Sequence, residues 1–372
     1  MADNFRYHMA EPDIGSKERE YMNEAFDSGW ISSKGPFISK FEDEFARFIG
    51  TRYALSCSNG TAALHLAVRA LGIGEGDEVI VPNLTFASPA NVVLYEKGKP
   101  VLVEIDKTYW CIDPDKVRES ITKKTKAIIV VHLYGHPADM EPIMNIAGEN
   151  GLKVIEDCAE AHGATYRSKK VGSIGDIGCF SFYGNKIITT GEGGMITSNS
   201  YELAERIRIL RDHGMQPSRR YWHEEIGYNY RMTNIQAAIG LAQLESIEEK
   251  IKKHKWIARK YSEYICDEAE LQPEMQWASN VYWLPTFMLN GYLGGASRDS
   301  LMTLLAKKGV ESRPVFYPLN EMPPYRTETS FSNSTYVSYH GISLPVSNRF
   351  DEVDIRFIAQ VFNRSVSKLR RQ

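Results

Sequence analysis

Phe180-Ser181-Phe182-Tyr183-Gly184-Asn185-Lys186 runs directly into Ile187-Ile188-Thr189-Thr190-Gly191-Glu192-Gly193-Gly194-Met195. Phe180 to Phe182 reads as the end of a buried strand. Gly184 then releases the chain into a loop that carries Lys186 among small residues. A primary amine on a flexible four-carbon stem, held in a partly dry site, can form a Schiff base with a carbonyl. An isolated loop lysine is ordinarily a solvated one, so the reading of Lys186 depends on what the rest of the chain brings to it.

The flanking pattern alternates between about residues 50 and 200. Glu78-Val79-Ile80-Val81 is a short apolar run ending at Pro82, and a helical stretch follows before Pro100-Val101-Leu102-Val103. Ala127 to Val131 and Lys153-Val154-Ile155 are further β-branched runs. Apolar runs separated by helix-length segments predict parallel strands covered on both faces. Ligands on such sheets bind beyond the carboxyl ends of the strands, which directs attention to the residues after each run.

Thr233 to about Tyr264 reads as one or two long helices, with the charge-rich Glu245 to Lys255 stretch as a hinge into a second unit. Ser297 and Asp299 open a helix to about Lys308, and Asp351 starts a terminal helix. The economical division is a large α/β unit over residues 1–250, including an N-terminal arm, and a smaller α+β unit over 251–372.

Bulk properties permit an enzyme of this size. The chain has 372 residues, a formal net charge of −3 and five cysteines. That charge offers no basic field for nucleic acid and no polybasic membrane patch. No apolar run is long enough to span a bilayer, and the N-terminus lacks the pattern of a signal peptide. The cysteines are far apart and read as reduced core thiols, so the expectation is a cytoplasmic protein without a bound metal.

Five segments carry candidate chemistry. In Ser58-Asn59-Gly60-Thr61-Ala62, a turn leads into an apolar-periodic helix with Thr61 as cap; its first-turn N–H groups suit a phosphate, or the turn is only a cap. Asp157 falls where the Val154 strand ends, and it either caps the next helix or meets a cation such as a pyridinium nitrogen. Glu160 and His162 follow one turn on, as site or packing residues. Phe86, just after the Val79 strand, either stacks on a planar ring or packs in the core. The aromatic segment Arg220 to Asn234 lacks a strand period and reads as a functional loop or an interface. Arg313 is a clamp for phosphate or carboxylate, or the partner of a surface acid.

Together, and most specifically through Phe180 to Met195 and Gly227-Tyr228-Asn229-Tyr230-Arg231-Met232-Thr233-Asn234, the chain resembles the DegT/DnrJ/EryC1/StrS sugar aminotransferase family over nearly its whole length. The resemblance implies an aspartate aminotransferase-type (fold type I) α/β architecture, with a mixed, mostly parallel sheet and a smaller C-terminal α+β unit. It implies pyridoxal 5′-phosphate, passing through its pyridoxamine 5′-phosphate form, and a homodimer with shared sites, or a tetramer of such dimers. Lys186 matches the Schiff-base lysine and proton carrier, and Asp157 the partner of the pyridine nitrogen. Phe86 matches the ring-stacking position. Gly60, Thr61 and Ser181 match phosphate ligands, Glu160 a residue near the cofactor, and Asn229 a residue reaching the neighbouring subunit's phosphate. Trp30, Ser32, Arg313 and Tyr317 correspond to regions around a nucleotide sugar.

The nearest resemblance within that family is to its perosamine-forming branch. It implies transfer of the amino group of L-glutamate to C4 of a nucleotide-linked 4-keto-6-deoxyhexose. The substrate expected is GDP-4-keto-6-deoxy-D-mannose and the product GDP-perosamine, for O-antigen or surface polysaccharide. The alternatives are a UDP- or dTDP-linked keto sugar, a keto sugar acid, or a non-catalytic relative. Related 3-dehydratases carry a histidine where this chain has Lys186, so the lysine argues for transamination. Asn320-Glu321 departs from the family pattern near the substrate region, Phe86 replaces a common Tyr, and Pro89 is unfamiliar in its helix.

Overall fold

A computed structural model describes residues 5–290 and 295–371. Its centre is a seven-stranded sheet built from β1 (Tyr53–Cys57), β2 (Glu78–Pro82), β3 (Lys99–Val103), β4 (Thr125–Val131), β5 (Lys153–Asp157), β8 (Ile177–Ser181) and β9 (Gly194–Ser198). Two short strands, β6 (Thr165–Tyr166) and β7 (Lys169–Lys170), lie between β5 and β8 in the chain. The sheet order is β1-β9-β8-β5-β4-β2-β3. Pairings β2–β3, β2–β4, β4–β5 and β5–β8 are parallel, whereas β9 runs antiparallel to both β8 and β1.

The apolar runs give this sheet two covered faces. Ile80, Ile128, Val130 and Val154 enter one hydrophobic core, and Val79, Val81, Ala127, Ile129 and Ile155 enter the other. Alternation along a strand sends neighbours to opposite faces, so a continuous β-branched run satisfies both at once. The chain steps from β2 outward to β3, then returns to the other side of β2 to lay down β4 and β5. The crevice at such a reversal, beyond the carboxyl strand ends, is where ligands of these sheets sit.

The remaining strands are β10 (Ala269–Leu271), β11 (Ala278–Ser279), β12 (Thr286–Leu289), β13 (Arg313–Pro314) and β14 (Gly341–Ser343). They form an antiparallel sheet of order β10-β12-β14-β13, while β11 pairs with β6 in a small sheet of order β11-β6-β7. The terminal helix Glu352–Leu369 is capped by Asp351 and buries Ile355, Ile358, Phe362 and Val366.

The division at 250/251 does not coincide with a break in the chain. That point lies inside the helix Ile247–Tyr264; the interruption falls at Ser246, after the helix Asn234–Glu245. The N-terminal arm also crosses the expected boundary. Tyr7 and Ala10 bridge to Val310 and Val346, and the Tyr7 hydroxyl donates to Asp354 Oδ1 at 3.0 Å. Sequence spacing carries no signal for such a return of the first residues to the last. Pro89 sits in the first turn of the helix Ser88–Tyr95, where no backbone donor is required. Among the described residues, no helix is long and apolar enough to cross a membrane.

Candidate active site

Three parallel strands of the large sheet end around one cavity of about 690 Å³. Val131 closes β4, Asp157 closes β5 and Ser181 closes β8, and all three line it. Thr85 and Phe86, just past β2, line it from the other side of the crevice.

The first turn of the helix Gly60–Ala70 forms another wall. Its cap is Asn59 rather than Thr61: Asn59 Oδ1 accepts the N–H of Ala62 at 2.8 Å. The Thr61 hydroxyl instead pairs with Ser88 Oγ at 2.8 Å. The N–H groups of Gly60 and Thr61 stand at the positive end of the helix with no intrahelical acceptor. Gly60 is required by close packing, since a Cβ there would lie 2.7 Å from Ser181 Cβ. Ser181, Gly60 and Thr61 thus meet at one corner.

Lys186 reaches the opposite side, with its side chain only 11% exposed. Its Nζ lies 3.8 Å from the centre of the Trp283 ring and 4.0 Å from Glu160 Oε1. Burial lowers the lysine pKa, and the carboxylates of Glu160 and Asp157 pull it back up. Burial raises the Glu160 carboxyl to about 7, opposed by Lys186 and by the Tyr134 N–H, which donates to Oε2 at 2.7 Å. Burial likewise raises Asp157, whose Oδ1 accepts the Ala159 N–H at 3.0 Å. Its other oxygen has no protein donor among the described residues. Asp157 therefore both caps the following turn and presents an unpaired carboxylate oxygen in the cavity, so the two readings of its sequence position hold together.

An aromatic stack lines the side nearest Lys186. Trp283 stacks on Tyr134 at 6.0 Å, Tyr134 on Phe316 at 5.4 Å, and Phe316 meets the ring of Phe86 at 5.9 Å. Phe86 is 58% exposed, so it is a wall residue and not a core one. Tyr134 holds a left-handed backbone, φ +56°, kept there by its bond to Glu160 and by the stack. The Trp283 indole N–H donates to the Asn185 carbonyl at 2.7 Å, fixing the residue before the lysine.

Of the remaining candidates, Arg313 also lines the cavity; it pairs with Glu311 at 3.2 Å and keeps a half-exposed side chain. Trp30, Ser32, Tyr317 and Asn229 do not line it. Trp30 and Ser32 lie in a turn held by Asn234, which donates to the carbonyls of both at 2.7 Å. Asn229 is exposed and accepts from Arg231 at 2.8 Å. Tyr317 faces Tyr339, and Glu321 accepts from the Tyr339 hydroxyl at 2.6 Å. His162 packs between Phe180 and Phe182 beneath the site, with burial lowering its pKa to about 3.

One ligand-type cluster is structural. His132, Glu156 and Cys158 gather within 4.8 Å. Glu156, however, accepts the N–H groups of Gly172, Ile174 and Gly175 and the Nε2 of His132, whose Nδ1 accepts from Ala138. These donors and acceptors are committed to one another. Residues that sequence patterns did not single out are Trp283, Tyr134 and Tyr230. Trp283 stands in an apolar stretch with no distinguishing neighbour, Tyr134 follows a strand end, and Tyr230 lies within an aromatic segment.

Known proteins resemble the chain in sequence, and solved structures resemble it in fold. A profile of the DegT/DnrJ/EryC1/StrS aminotransferase family matches residues 12–363. GDP-perosamine synthase of Caulobacter vibrioides is 47% identical over 360 residues, covering 95% of this chain and 97% of that protein. GDP-perosamine synthase of Escherichia coli O157:H7 is 44% identical, covering 96% and 98%. The PLP form of Spr1654 from Streptococcus pneumoniae superposes with a TM-score of 0.93 at 26% identity, over 97% of this chain and 99% of that one. Because that family's profile spans residues 12–363, the chain belongs to the DegT/DnrJ/EryC1/StrS aminotransferase family.

Proposed function

We propose that this aminotransferase uses pyridoxal 5′-phosphate to move the amino group of L-glutamate to C4 of GDP-4-keto-6-deoxy-D-mannose, giving GDP-perosamine for a surface polysaccharide. Near-full-length identity of 44–47% to proteins named GDP-perosamine synthase supports the sugar. The observation that carries the chemistry is the Lys186 amine, buried between Trp283 and Glu160 in the same cavity as an Asp157 oxygen without a protein partner.

The residues present fit the cofactor. The first-turn amides of Gly60 and Thr61, with the Ser181 hydroxyl, suit its phosphate. Asp157 suits its ring nitrogen, because a buried carboxylate with no cation is costly and a pyridinium supplies one. Phe86 offers a ring face. When bound, the group supplies the carbonyl that the lysine engages and a protonated ring that takes up electrons.

The chain's own residues do the rest. Asp157 holds the proton on the ring nitrogen. Burial gives Lys186 a larger share of neutral amine at physiological pH, which suits it to take the proton from the α-carbon of glutamate. In the second half-reaction the same Nζ returns a proton to C4 of the sugar. Trp283 and Phe316, with Tyr134 stacked between them, close one side against water. Arg313, half-exposed at the cavity wall, is placed for an anionic group of either substrate. Asn229, exposed and outside its own cavity, serves the site of a second copy in a homodimer.

The visible absorption band of the cofactor-loaded protein tests this reading. It should be present in the native protein and lost in Lys186→Ala. A supplemented native protein without such a band would end the proposal.

A further inference from the structure

The loop that carries Lys186 also borders a second, small space of about 10 Å³. Asn185, Lys186, Thr189, Gln243, His254 and Asn348 are among its walls. Two of these residues carry a side-chain oxygen, Asn185 Oδ1 and Asn348 Oδ1, that is less than 1 Å² exposed and has no hydrogen-bond partner among the described residues. A buried amide oxygen left without a donor costs about 1–3 kcal/mol, and such atoms are rarely left so in native proteins. A space of this size admits one water molecule and little else.

Neighbouring polar groups are already committed. His254 Nδ1 lies 3.2 Å from the Tyr282 carbonyl. Gln243 accepts the Thr189 N–H at 3.3 Å and donates to the Asp13 carbonyl at 2.8 Å and to Glu18 at 2.6 Å. Lys250 neutralises Asp13 at 2.8 Å. The Asn185 and Asn348 amide oxygens remain as buried acceptors without a protein donor, and a water molecule with two O–H groups can satisfy both.

We propose that one ordered water is built into this site, donating to Asn185 Oδ1 and Asn348 Oδ1, and that it braces the Lys186 loop against the segment Val346–Asn348. The brace works alongside the Trp283 bond to the Asn185 carbonyl. One holds the main chain of the residue before the lysine, and the other holds its side chain. The Val346 N–H in turn donates to the Met9 carbonyl of the N-terminal arm at 2.9 Å. The lysine loop is thereby tied to both ends of the chain. Asn348 is a positioning residue, acting on Lys186 through Asn185.

A high-resolution crystal structure of the cofactor-loaded protein tests the site. The expected result is a single density peak about 2.8 Å from both oxygens. Three results would overturn it: no peak, either amide turned onto a protein donor, or a peak ringed by five or six oxygens at sodium distances. The brace is tested with Asn348→Leu, which removes the acceptor and fills the space. It should lower kcat about fivefold, the worth of one lost hydrogen bond, and shift the pH dependence of the visible band. A variant that is less heat-stable but keeps the native pH dependence and kcat would overturn the positioning role. The crystallographic part stands on geometry alone, while the kinetic part rests on the role proposed for Lys186, so the two fail separately.

Discussion

The Nζ of Lys186 lies over the face of Trp283, 3.8 Å from the ring centre. The two residues are 97 positions apart, and the indole also grips the Asn185 carbonyl beside the lysine. The ring's negative face favours the ammonium form, by about 1–2 kcal/mol when desolvated, and so opposes the effect of burial. Trp283→Leu should therefore lower the lysine pKa further and loosen its loop. Steady-state kinetics should show kcat reduced about tenfold, with Trp283→Phe, which keeps a ring face, affected less. Equal, near-native rates in both variants would remove Trp283 from the site.

Glu160 gives a pH signature in the cofactor-free protein. Its folded pKa of about 7 lies above the ordinary value of 4.5, so the folded state holds more protons than the unfolded state between those values. Stability from this group is present below about pH 4.5 and is lost as pH rises through 7, by up to ~3 kcal/mol. His162, depressed to about 3, acts in the opposite sense over a lower range, and comparison with Glu160→Gln subtracts it. The variant retains the acceptor for the Tyr134 N–H. Its Tm should fall less than the native Tm between pH 5 and 7.5. Parallel pH profiles would contradict the raised pKa.

Gly60→Ala places a methyl group 2.7 Å from Ser181 Cβ, at the corner proposed for the phosphate. Relief requires a shift of the helix start or of the β8 end, at a cost of about 1–3 kcal/mol. Cofactor titration should show an affinity weakened roughly tenfold or more, with the fold retained by circular dichroism. Native affinity would exclude this corner as the phosphate site.

Asn229→Ala should weaken cofactor retention while light scattering still reports a dimer, because the side chain is exposed and lies outside its own cavity. Unchanged retention would remove Asn229 from the site.

Much of this was legible in the sequence. β-Branched runs such as Ala127 to Val131 specify strands buried on both faces, because only a doubly covered sheet uses apolar residues at every position. Asp157 is legible because its apolar run ends there and ligands of such sheets bind beyond the strand ends, whereas Ser181 follows only from the family resemblance. Asn59 as the cap was missed because Asn59, Gly60 and Thr61 are all acceptable at that position, and only the bond to Ala62 separates them. Trp283 and Tyr134 were missed because their roles arise from stacking across distant segments, which periodicity does not encode. Trp30, Ser32 and Tyr317, carried over from resemblance, lie outside the cavity of the single chain, and no local pattern links them to it. Assigning the N-terminal arm to the large sheet rests on proximity in sequence alone, and that proximity carries no trace of the bridges from Tyr7 and Ala10 to Val310 and Val346.

The sugar is the central claim, and one assay tests it most directly. The purified, cofactor-loaded protein is incubated with L-glutamate and a panel of GDP-, UDP- and dTDP-linked 4-keto-6-deoxyhexoses, and 2-oxoglutarate release is followed. GDP-4-keto-6-deoxy-D-mannose should give the highest kcat/KM and a 4-amino product. Equal or better turnover of a UDP- or dTDP-linked sugar would contradict the assignment.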